Sequence, residues 1–257
     1  MSTSYFVRLY FMIQCARLCF GPALHGGCRS TVAGKQPMEL HAGDRVIRWH
    51  EHPLIMGILN VTPDSFFDGG RYIDPQAAVS HALRLVEEGA DLLDIGAEST
   101  RPGSDPIDEA EERRRLIPVV AAVAKAVTIP ISVDTSKAAV AQAAIDVGAV
   151  IVNDVTALRG DPAMPDVIAQ SQAGVVLMHM QGTPRTMQRA PCYRDVVQDI
   201  SAFFADRLQF AADKQISRSR IILDPGIGFG KLLLDNLDLV AGLETFAQFD
   251  CPVLVGV

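Results

Sequence analysis

Short apolar segments recur along the chain from residue 55 onward, separated by longer segments of mixed polarity. The apolar segments are nearly continuous and rich in Val and Ile, which is typical of parallel strands that helices cover on both faces. Because the mixed segments between them are long enough for helices, the chain repeats a strand–helix–strand unit with right-handed crossovers. The seven predicted strands are Ile55–Val61, Leu92–Gly96, Ile131–Thr135, Ile151–Asp154, Val175–Met180, Ile221–Gly226 and Val253–Val257.

Residues that favour helix ends lie between these strands. Asp74 followed by Pro75 predicts a helix start, and Gly89 predicts the end of that helix. Ser136 is predicted to cap the helix that runs to Gly148. A run of three arginines follows three nearby glutamates, which predicts a solvated helix face with paired charges: Glu109, Glu111, Glu112, Arg113, Arg114 and Arg115.

The strand–helix repeat fits two architectures, an open doubly wound sheet and a (β/α)₈ TIM barrel. The polar residues at the strand ends distinguish between them. In a barrel the carboxyl ends of all strands meet at one pocket, whereas an open sheet spreads them along an edge. The pattern therefore predicts an α/β TIM barrel in which seven of eight strands are present, with the first and last strands left unpaired at their edges. The polar strand ends are Asn60, Asp94, Asp134, Asn153 with Asp154, His179 and Asp224.

The composition argues against several classes of protein and of binding partner. The chain has 257 residues, with 23 Lys and Arg against 30 Asp and Glu, so its formal net charge is −7. An acidic balance argues against binding to a nucleic-acid backbone. Because no stretch of 18 apolar residues occurs, no membrane span is expected. Five cysteines without a paired motif argue against a disulfide framework and favour the cytoplasm.

The two ends of the chain differ from the middle. Residues 1–37 contain no Asp or Glu and three of the five cysteines. They fit either a targeting segment or a mis-called start with Met38 as the initiator, and the second interpretation is favoured. We therefore expect 1–37 to be a disordered or wrongly included extension and 38–257 to be the barrel domain. Because the chain ends inside a predicted strand, we expect its last strand and helices to have been cut off.

Two long motifs carry specific information. IMGILNVTPDSFFDGG runs over residues 55–70 and DIGAESTRPG over 94–103, and four shorter motifs follow, SVDT, VND, LMHMQG and LDPGIGFGK. In this order they resemble dihydropteroate synthase over about residues 38–257. The resemblance implies a TIM barrel and a transferase of folate biosynthesis. Such an enzyme condenses 6-hydroxymethyl-7,8-dihydropterin diphosphate with 4-aminobenzoate to give 7,8-dihydropteroate and diphosphate.

The resemblance also implies roles for individual residues. Asn60 matches a Mg²⁺ ligand, and Thr100 matches a contact to the pterin diphosphate. Asp68 resembles a loop carboxylate that stabilises a pterin cation, and Arg101 is placed near the diphosphate or the aminobenzoate carboxylate. The residues matched to the pterin pocket are Asp94, Asp134, Asn153, Met178, Asp224 and Phe229, and those matched to the aminobenzoate ring are Phe66 and Pro102.

Lys231 and His179 could suggest a phosphate-binding lysine and a metal ligand, but the neighbouring residues argue against both roles. Lys231 ends a glycine-rich segment, but the spacing is not that of a phosphate-binding loop, and Leu232 stands where Ser or Thr is needed. The glycines are expected instead to let the backbone pass close to a flat pterin. His179 between two methionines is expected to be a packed pocket wall rather than a metal ligand.

The sequence departs from the family at its end. Relatives carry a Ser-Arg-Lys loop and an Arg-x-His motif after the last strand seen here, and they form homodimers through C-terminal helices. The chain as written is therefore expected to turn over slowly or not at all, with its oligomeric state open. Two alternatives remain: a truncated pterin-binding remnant without catalysis, and a relative of the methyltetrahydrofolate methyltransferases. The complete Asn-Val-Thr-Pro-Asp-Ser-Phe loop counts against the second alternative.

Overall fold

Strands and helices alternate in the described part of the chain from residue 54 onward. A computed structural model describes residues 9–13, 38–50, 52–61, 74–98 and 106–256. The strands are β1 Leu9–Ile13, β2 Met38–Ala42, β3 Arg45–Trp49, β4 Leu54–Asn60, β5 Leu92–Gly96, β6 Ile131–Asp134, β7 Ile151–Asp154, β8 Gly174–Met178, β9 Ile221–Asp224 and β10 Val253–Gly256. The helices are α1 Pro75–Glu87, α2 Glu109–Ala126, α3 Ala138–Asp146, α4 Met164–Ser171, α5 Val196–Asp213 and α6 Leu233–Ala241, with 3₁₀ turns at Arg218–Arg220 and Leu243–Phe249.

The strands β4 to β10 form the predicted parallel sheet and curl into a barrel. Neighbours in sequence are neighbours in space, with β4 beside β5 and so on to β9 beside β10. Helices lie between successive strands and cover the outside. The prediction of an α/β barrel with seven parallel strands is confirmed.

The edges of this sheet are not open, and that expectation was wrong. Strand β1 pairs antiparallel with both β10 and β4, with Phe11 opposite Val255 on one side and Ile55 on the other. It closes the barrel because its backbone groups meet the free edges of both strands. Strand β1 comes from the segment that was expected to be an extension. The division of the chain at residue 38 stays a prediction, and residues 1–8 and 14–37 lie outside the described part.

Local signals account for one helix start and fail at another. Asp74 caps α1 as predicted, because its Oδ1 accepts the Gln76 N–H at 2.9 Å. Ser136 does not cap α3. Instead, the N–H of Ala138 donates at 2.8 Å to Asp161 Oδ2. The cap comes from the loop after β7, which only the folded barrel brings next to α3.

Two apolar cores lie on the two faces of the sheet. The larger core fills the space between the strands and the helices outside the barrel. The smaller core fills the lower half of the barrel interior, where the hairpin of β2 and β3 plugs the end at which the strands begin. Its members are Leu40, Ala42, Trp49, Met56, Leu92, Ile151, Val176, Ile222 and Leu254. Among the described helices, none is long and apolar enough to span a membrane.

Candidate functional site

A polar layer lies above the apolar core inside the barrel. Because side chains alternate along a strand, a residue two positions after an inward apolar residue also points inward. Leu92 is followed in this way by Asp94, Ile151 by Asn153, and Ile222 by Asp224. Asp134 joins them because it is in register with Asn153. Four of the predicted pterin-pocket residues therefore face the barrel mouth from four different strands.

Asp94 and Asn153 form the centre of this layer. Asn153 Nδ2 donates to Asp94 Oδ2 at 3.0 Å, and the two side chains are 5% exposed or less. Among the described residues, Asp94 Oδ1 and Asn153 Oδ1 are buried without a hydrogen-bond partner. Burial raises the pKa of Asp94, and the nearby side chains of Ser132 and then Asn153 partly offset this rise. Buried acceptors left unpaired cost about 1–3 kcal/mol each, so this layer is suited to a ligand that supplies N–H donors.

Asp134 lies beside this pair at the end of β6. It is partly exposed, and its neighbour on β5 is Gly96, where an added Cβ would lie 3.2 Å from the Asp134 Cβ. Glycine thus leaves room for the carboxyl group. Burial, followed by the negative charge of Asp94 and of nearby glutamates, raises the pKa of Asp134 well above its usual range. Gathered carboxyls repel one another, so a donor-rich ligand would relieve this repulsion.

Asp224 is held by the loop that follows it. Its Oδ1 accepts the Gly226 N–H at 2.7 Å. Gly226 has a φ of +66°, and a Cβ there would lie 2.1 Å from the His179 carbonyl oxygen, so only glycine fits. Burial raises the pKa of Asp224 to about 7. The close approach that requires glycine at position 226 is therefore to the end of β8, and passage of this segment close to a pterin stays a prediction.

An apolar wall adjoins the polar layer. Met178 is in register with Asp224 and packs in one cluster with Phe229. The other members of this cluster are Val155, Met180 and Met187. A wall of thioether and aromatic groups next to hydrogen-bond acceptors is suited to one face of a flat heterocycle.

His179 and Lys231 lie behind this wall. His179 packs edge-on against Phe203 with ring centroids 4.9 Å apart, and its Nδ1 lies 3.2 Å from Lys231 Nζ. Burial, followed by the charge of Lys231, lowers the pKa of His179 to about 3, so the ring is neutral at physiological pH. The sequence placed Lys231 outside any phosphate loop but did not predict its contact with His179.

The predicted metal ligand lies at the edge of the layer. Asn60 ends β4, pairs in register with Gly96 and is exposed at the barrel mouth. In the described part of the chain, no group of three or more His, Cys, Asp or Glu residues could hold a metal ion. Five other predicted site residues, Phe66, Asp68, Thr100, Arg101 and Pro102, lie outside the described residues, and their roles stay predictions.

A buried ion cluster next to the site was missed by the sequence reasoning. Lys137, which precedes α3, contacts the carboxylates of Glu98 and Glu112. Glu112 was expected on a solvated helix face, but it is 1% exposed. Its neighbours follow the prediction, since Arg113 pairs with Glu109, and Arg114 and Arg115 pair with Glu111. Glu112 differs because its position on α2 faces α3.

Comparisons with known proteins agree with this geometry. A family model described as pterin binding enzyme matches residues 56–257. Dihydropteroate synthase of Escherichia coli is 45% identical over 205 residues, which cover 80% of this chain and 72% of that protein. The solved structure of Xanthomonas albilineans dihydropteroate synthase with 4-aminobenzoic acid superposes with a TM-score of 0.77 at 44% identity, covering 85% of this chain and 77% of that one.

A second Xanthomonas albilineans structure, in complex with 7,8-dihydropteroate, superposes with a TM-score of 0.73 at 43% identity. It covers 84% of this chain and 76% of that one. The family model spans the strands that carry Asp94, Asn153 and Asp224. The chain belongs to the dihydropteroate synthases, a family of pterin-binding enzymes.

Proposed function

We propose that this chain condenses 6-hydroxymethyl-7,8-dihydropterin diphosphate with 4-aminobenzoate, forming 7,8-dihydropteroate and releasing diphosphate. The observation that carries the proposal is the layer of inward-facing carboxyl and amide groups at the barrel mouth, contributed by β5, β6, β7 and β9. The relative solved with 7,8-dihydropteroate supports the same product for this chain.

Pterin recognition is assigned to the polar layer. A pterin has a row of N–H donors along its pyrimidine edge, and each needs an acceptor once it is buried. The unpaired oxygens of Asp94 and Asn153 supply two such acceptors. Asp134 and Asp224 supply carboxyls whose raised pKa values make a donor-rich partner favourable. Met178 and Phe229 would pack against the ring.

Bond breaking is assigned to the segments that follow β4 and β5 in the sequence. We propose that the C–O bond to diphosphate ionises first and that the amine then traps the pterin cation, which requires no enzyme nucleophile. Asp68 would stabilise the cation by preorganised charge. Thr100 and Arg101 would contact the diphosphate or the aminobenzoate carboxylate, and Phe66 and Pro102 would flank the aminobenzoate ring.

Mg²⁺ is proposed as the cofactor, held on the protein side by Asn60. The exposed amide at the end of β4 offers one neutral oxygen, which fits a hard cation that keeps several waters and binds phosphate oxygens. When bound there, Mg²⁺ would neutralise charge on the leaving diphosphate.

A homodimer is proposed from an apolar face on α6. Leu233, Leu237 and Val240 recur at helical spacing and are 73%, 55% and 51% exposed. Sedimentation of a Leu233→Glu/Leu237→Glu variant should show a monomer where the parent chain shows a dimer, and equal sedimentation of the two would count against this face.

We also propose the cytoplasm as the compartment, with which the free thiols of Cys192 and Cys251 are compatible.

Calorimetry and product analysis together test the proposed function. The chain is titrated with the pterin diphosphate, then incubated with both substrates and Mg²⁺, and 7,8-dihydropteroate is measured by mass spectrometry. Asp224→Asn should weaken pterin binding by about 10- to 100-fold, the cost of losing a hydrogen bond to a charged acceptor. Asp146→Asn, at an exposed position on α3, is the matched control.

The possible outcomes separate the alternatives. Product formation that needs both substrates supports a dihydropteroate synthase. Pterin binding without product favours a non-catalytic pterin-binding protein. Methyl transfer from methyltetrahydrofolate without dihydropteroate formation favours the methyltransferase relative. If Asp224→Asn and Asp146→Asn bind the pterin diphosphate with equal affinity, the assignment of pterin binding to the polar layer is wrong.

A further inference from the structure

A buried lysine joins the two loops that follow β8 and β9. Lys231 is 3% exposed. Its Nζ donates to the carbonyl oxygens of Gly226 at 2.8 Å, Phe229 at 2.9 Å and His179 at 3.2 Å, and it lies 3.2 Å from His179 Nδ1. An ammonium group has three N–H donors and no acceptor. In the described part of the chain, Lys231 therefore donates to backbone carbonyl oxygens of two different loops.

These two loops carry the side chains assigned to the pterin. His179 directly follows Met178 at the end of β8, and the Gly226–Phe229 segment begins two residues after Asp224, at the end of β9. The His179 N–H donates to the Asp224 carbonyl at 2.8 Å, so the two strand ends are also joined by backbone. Lys231 thus lies at the junction of the polar layer and the apolar wall.

The connection from Lys231 to the Asp224 carboxyl is short. Lys231 holds the carbonyl oxygen of Gly226, and the N–H of the same residue donates to Asp224 Oδ1. If Gly226 shifts, the hydrogen bond that orients the carboxyl shifts with it. Phe229 is held in the same way through its own carbonyl oxygen. The Lys231 ammonium group therefore helps to position both the Asp224 carboxyl and the Phe229 side chain.

The segment has further attachments that make its position well defined. The Tyr193 hydroxyl donates to the Gly230 carbonyl at 2.7 Å, and Gln188 Nε2 donates to the Gly228 carbonyl at 2.9 Å. Burial lowers the pKa of Lys231 to about 7, while the charge of Asp224 acts in the opposite direction. Burying an ammonium is costly, so its position indicates more than gap filling.

We propose that Lys231 is a positioning residue for pterin binding, holding the loops after β8 and β9 so that Asp224 and Phe229 keep their places at the site. This inference rests on the proposed function, because it assigns Lys231 a role at the same site. It predicts an effect on the pterin substrate alone. The residues assigned to 4-aminobenzoate belong to other loops.

The test compares Lys231→Met, Lys231→Arg and the matched control Lys214→Met, which changes a lysine with a 41% exposed side chain on another helix end. The Met variant keeps a similar length but has no donor. It should raise the dissociation constant of the pterin diphosphate in calorimetry about tenfold or more and, in a chain that forms product, leave the KM for 4-aminobenzoate within about twofold. The Arg variant keeps donors and should recover part of the loss, while Lys214→Met should match the parent chain.

A second variant keeps the test decisive if Lys231→Met does not fold. Tyr193→Phe removes one hydrogen bond to the same segment from its outer side. It should raise the dissociation constant of the pterin diphosphate about threefold and speed hydrogen exchange of the Gly226 and Phe229 amides without changing exchange in α2. An unchanged dissociation constant of the pterin diphosphate in a folded Lys231→Met or, failing that, in Tyr193→Phe would overturn the role of Lys231. A parent chain that neither binds pterin nor forms product would instead overturn the proposed function.

Discussion

The ion cluster around Lys137 gives a sharp prediction about stability. Lys137 contacts Glu98 and Glu112, and the three side chains are 24%, 23% and 1% exposed. Burial alone would lower the pKa of Lys137, but hydrogen bonds to Glu112 and Glu98 outweigh it and raise the pKa. The ammonium is therefore charged at neutral pH. Lys137→Met removes that charge and leaves the Glu112 carboxylate buried beside a second carboxylate.

The magnitude follows from burial. Removing one partner of a fully buried ion pair costs about 3–5 kcal/mol. Because Lys137 and Glu98 are about a quarter exposed, water screens part of the interaction, and we expect the free energy of unfolding to fall by about 2–3 kcal/mol. The cluster also joins elements that are far apart in sequence, since Glu98 follows β5, Glu112 lies on α2 and Lys137 precedes α3.

Urea unfolding measures this loss as a lower midpoint at an unchanged slope. Lys125→Met, at an exposed position near the end of α2, is the matched control and should change stability by no more than about 0.5 kcal/mol. Adding Glu112→Gln to Lys137→Met should recover part of the loss, because the double variant no longer buries the unpaired charge. A Lys137→Met variant as stable as Lys125→Met would refute the reasoning.

Two more predictions concern Asp224 and strand β1. The pKa of Asp224 is about 7 in the fold against about 3.9 in an unfolded chain, so the stability contributed by its proton is present at low pH and is lost as pH rises through 7. Between pH 5 and pH 8 the parent chain should lose about 2–3 kcal/mol of unfolding free energy relative to Asp224→Asn, and parallel pH profiles of the two would contradict this. Phe11→Pro removes a backbone N–H from the middle of β1 and should cost about 1–3 kcal/mol of unfolding free energy in urea, through a carbonyl left without its donor. An unchanged urea midpoint would instead support a domain confined to residues 38–257.

The parallel strands could be predicted because burial leaves a clear pattern in the sequence. A strand covered on both faces is apolar at nearly every position, and β5 and β7 have the predicted bounds. The other parallel strands differ from prediction by one or two residues at their ends. There, apolar residues such as Val61 continue the pattern after the strand has ended.

The polar layer could also be predicted, but only in part. Asp94, Asp134, Asn153 and Asp224 stand at strand ends in the sequence, and a barrel must bring such ends together. Their inward direction follows from alternation along each strand. The hydrogen bond between Asp94 and Asn153 could not be predicted, because it depends on the distance between β5 and β7 across the curved sheet.

The burial of Glu112 and the contacts of Lys231 could not be predicted from the sequence, because they depend on how distant segments pack together. Nothing near Glu112 in the sequence distinguishes it from Glu109 or Glu111, yet it alone of these three is buried, since α3 packs against its side of α2. Lys231 ends a glycine-rich segment that sequence reasoning could only reject as a phosphate loop. Its acceptor on His179 lies 52 residues earlier in the chain.

The sequence by itself determined the alternation of strands and helices, the barrel class and the set of polar strand ends. These features follow from local burial and backbone preference, which each segment expresses in its own residues. Tertiary structure alone decided that β1 closes the barrel, that Asp161 caps α3, and that Lys137 and Lys231 connect segments that are distant in sequence. Each of these depends on which distant group completes a hydrogen bond or ion pair, and that partner exists only once the chain has folded.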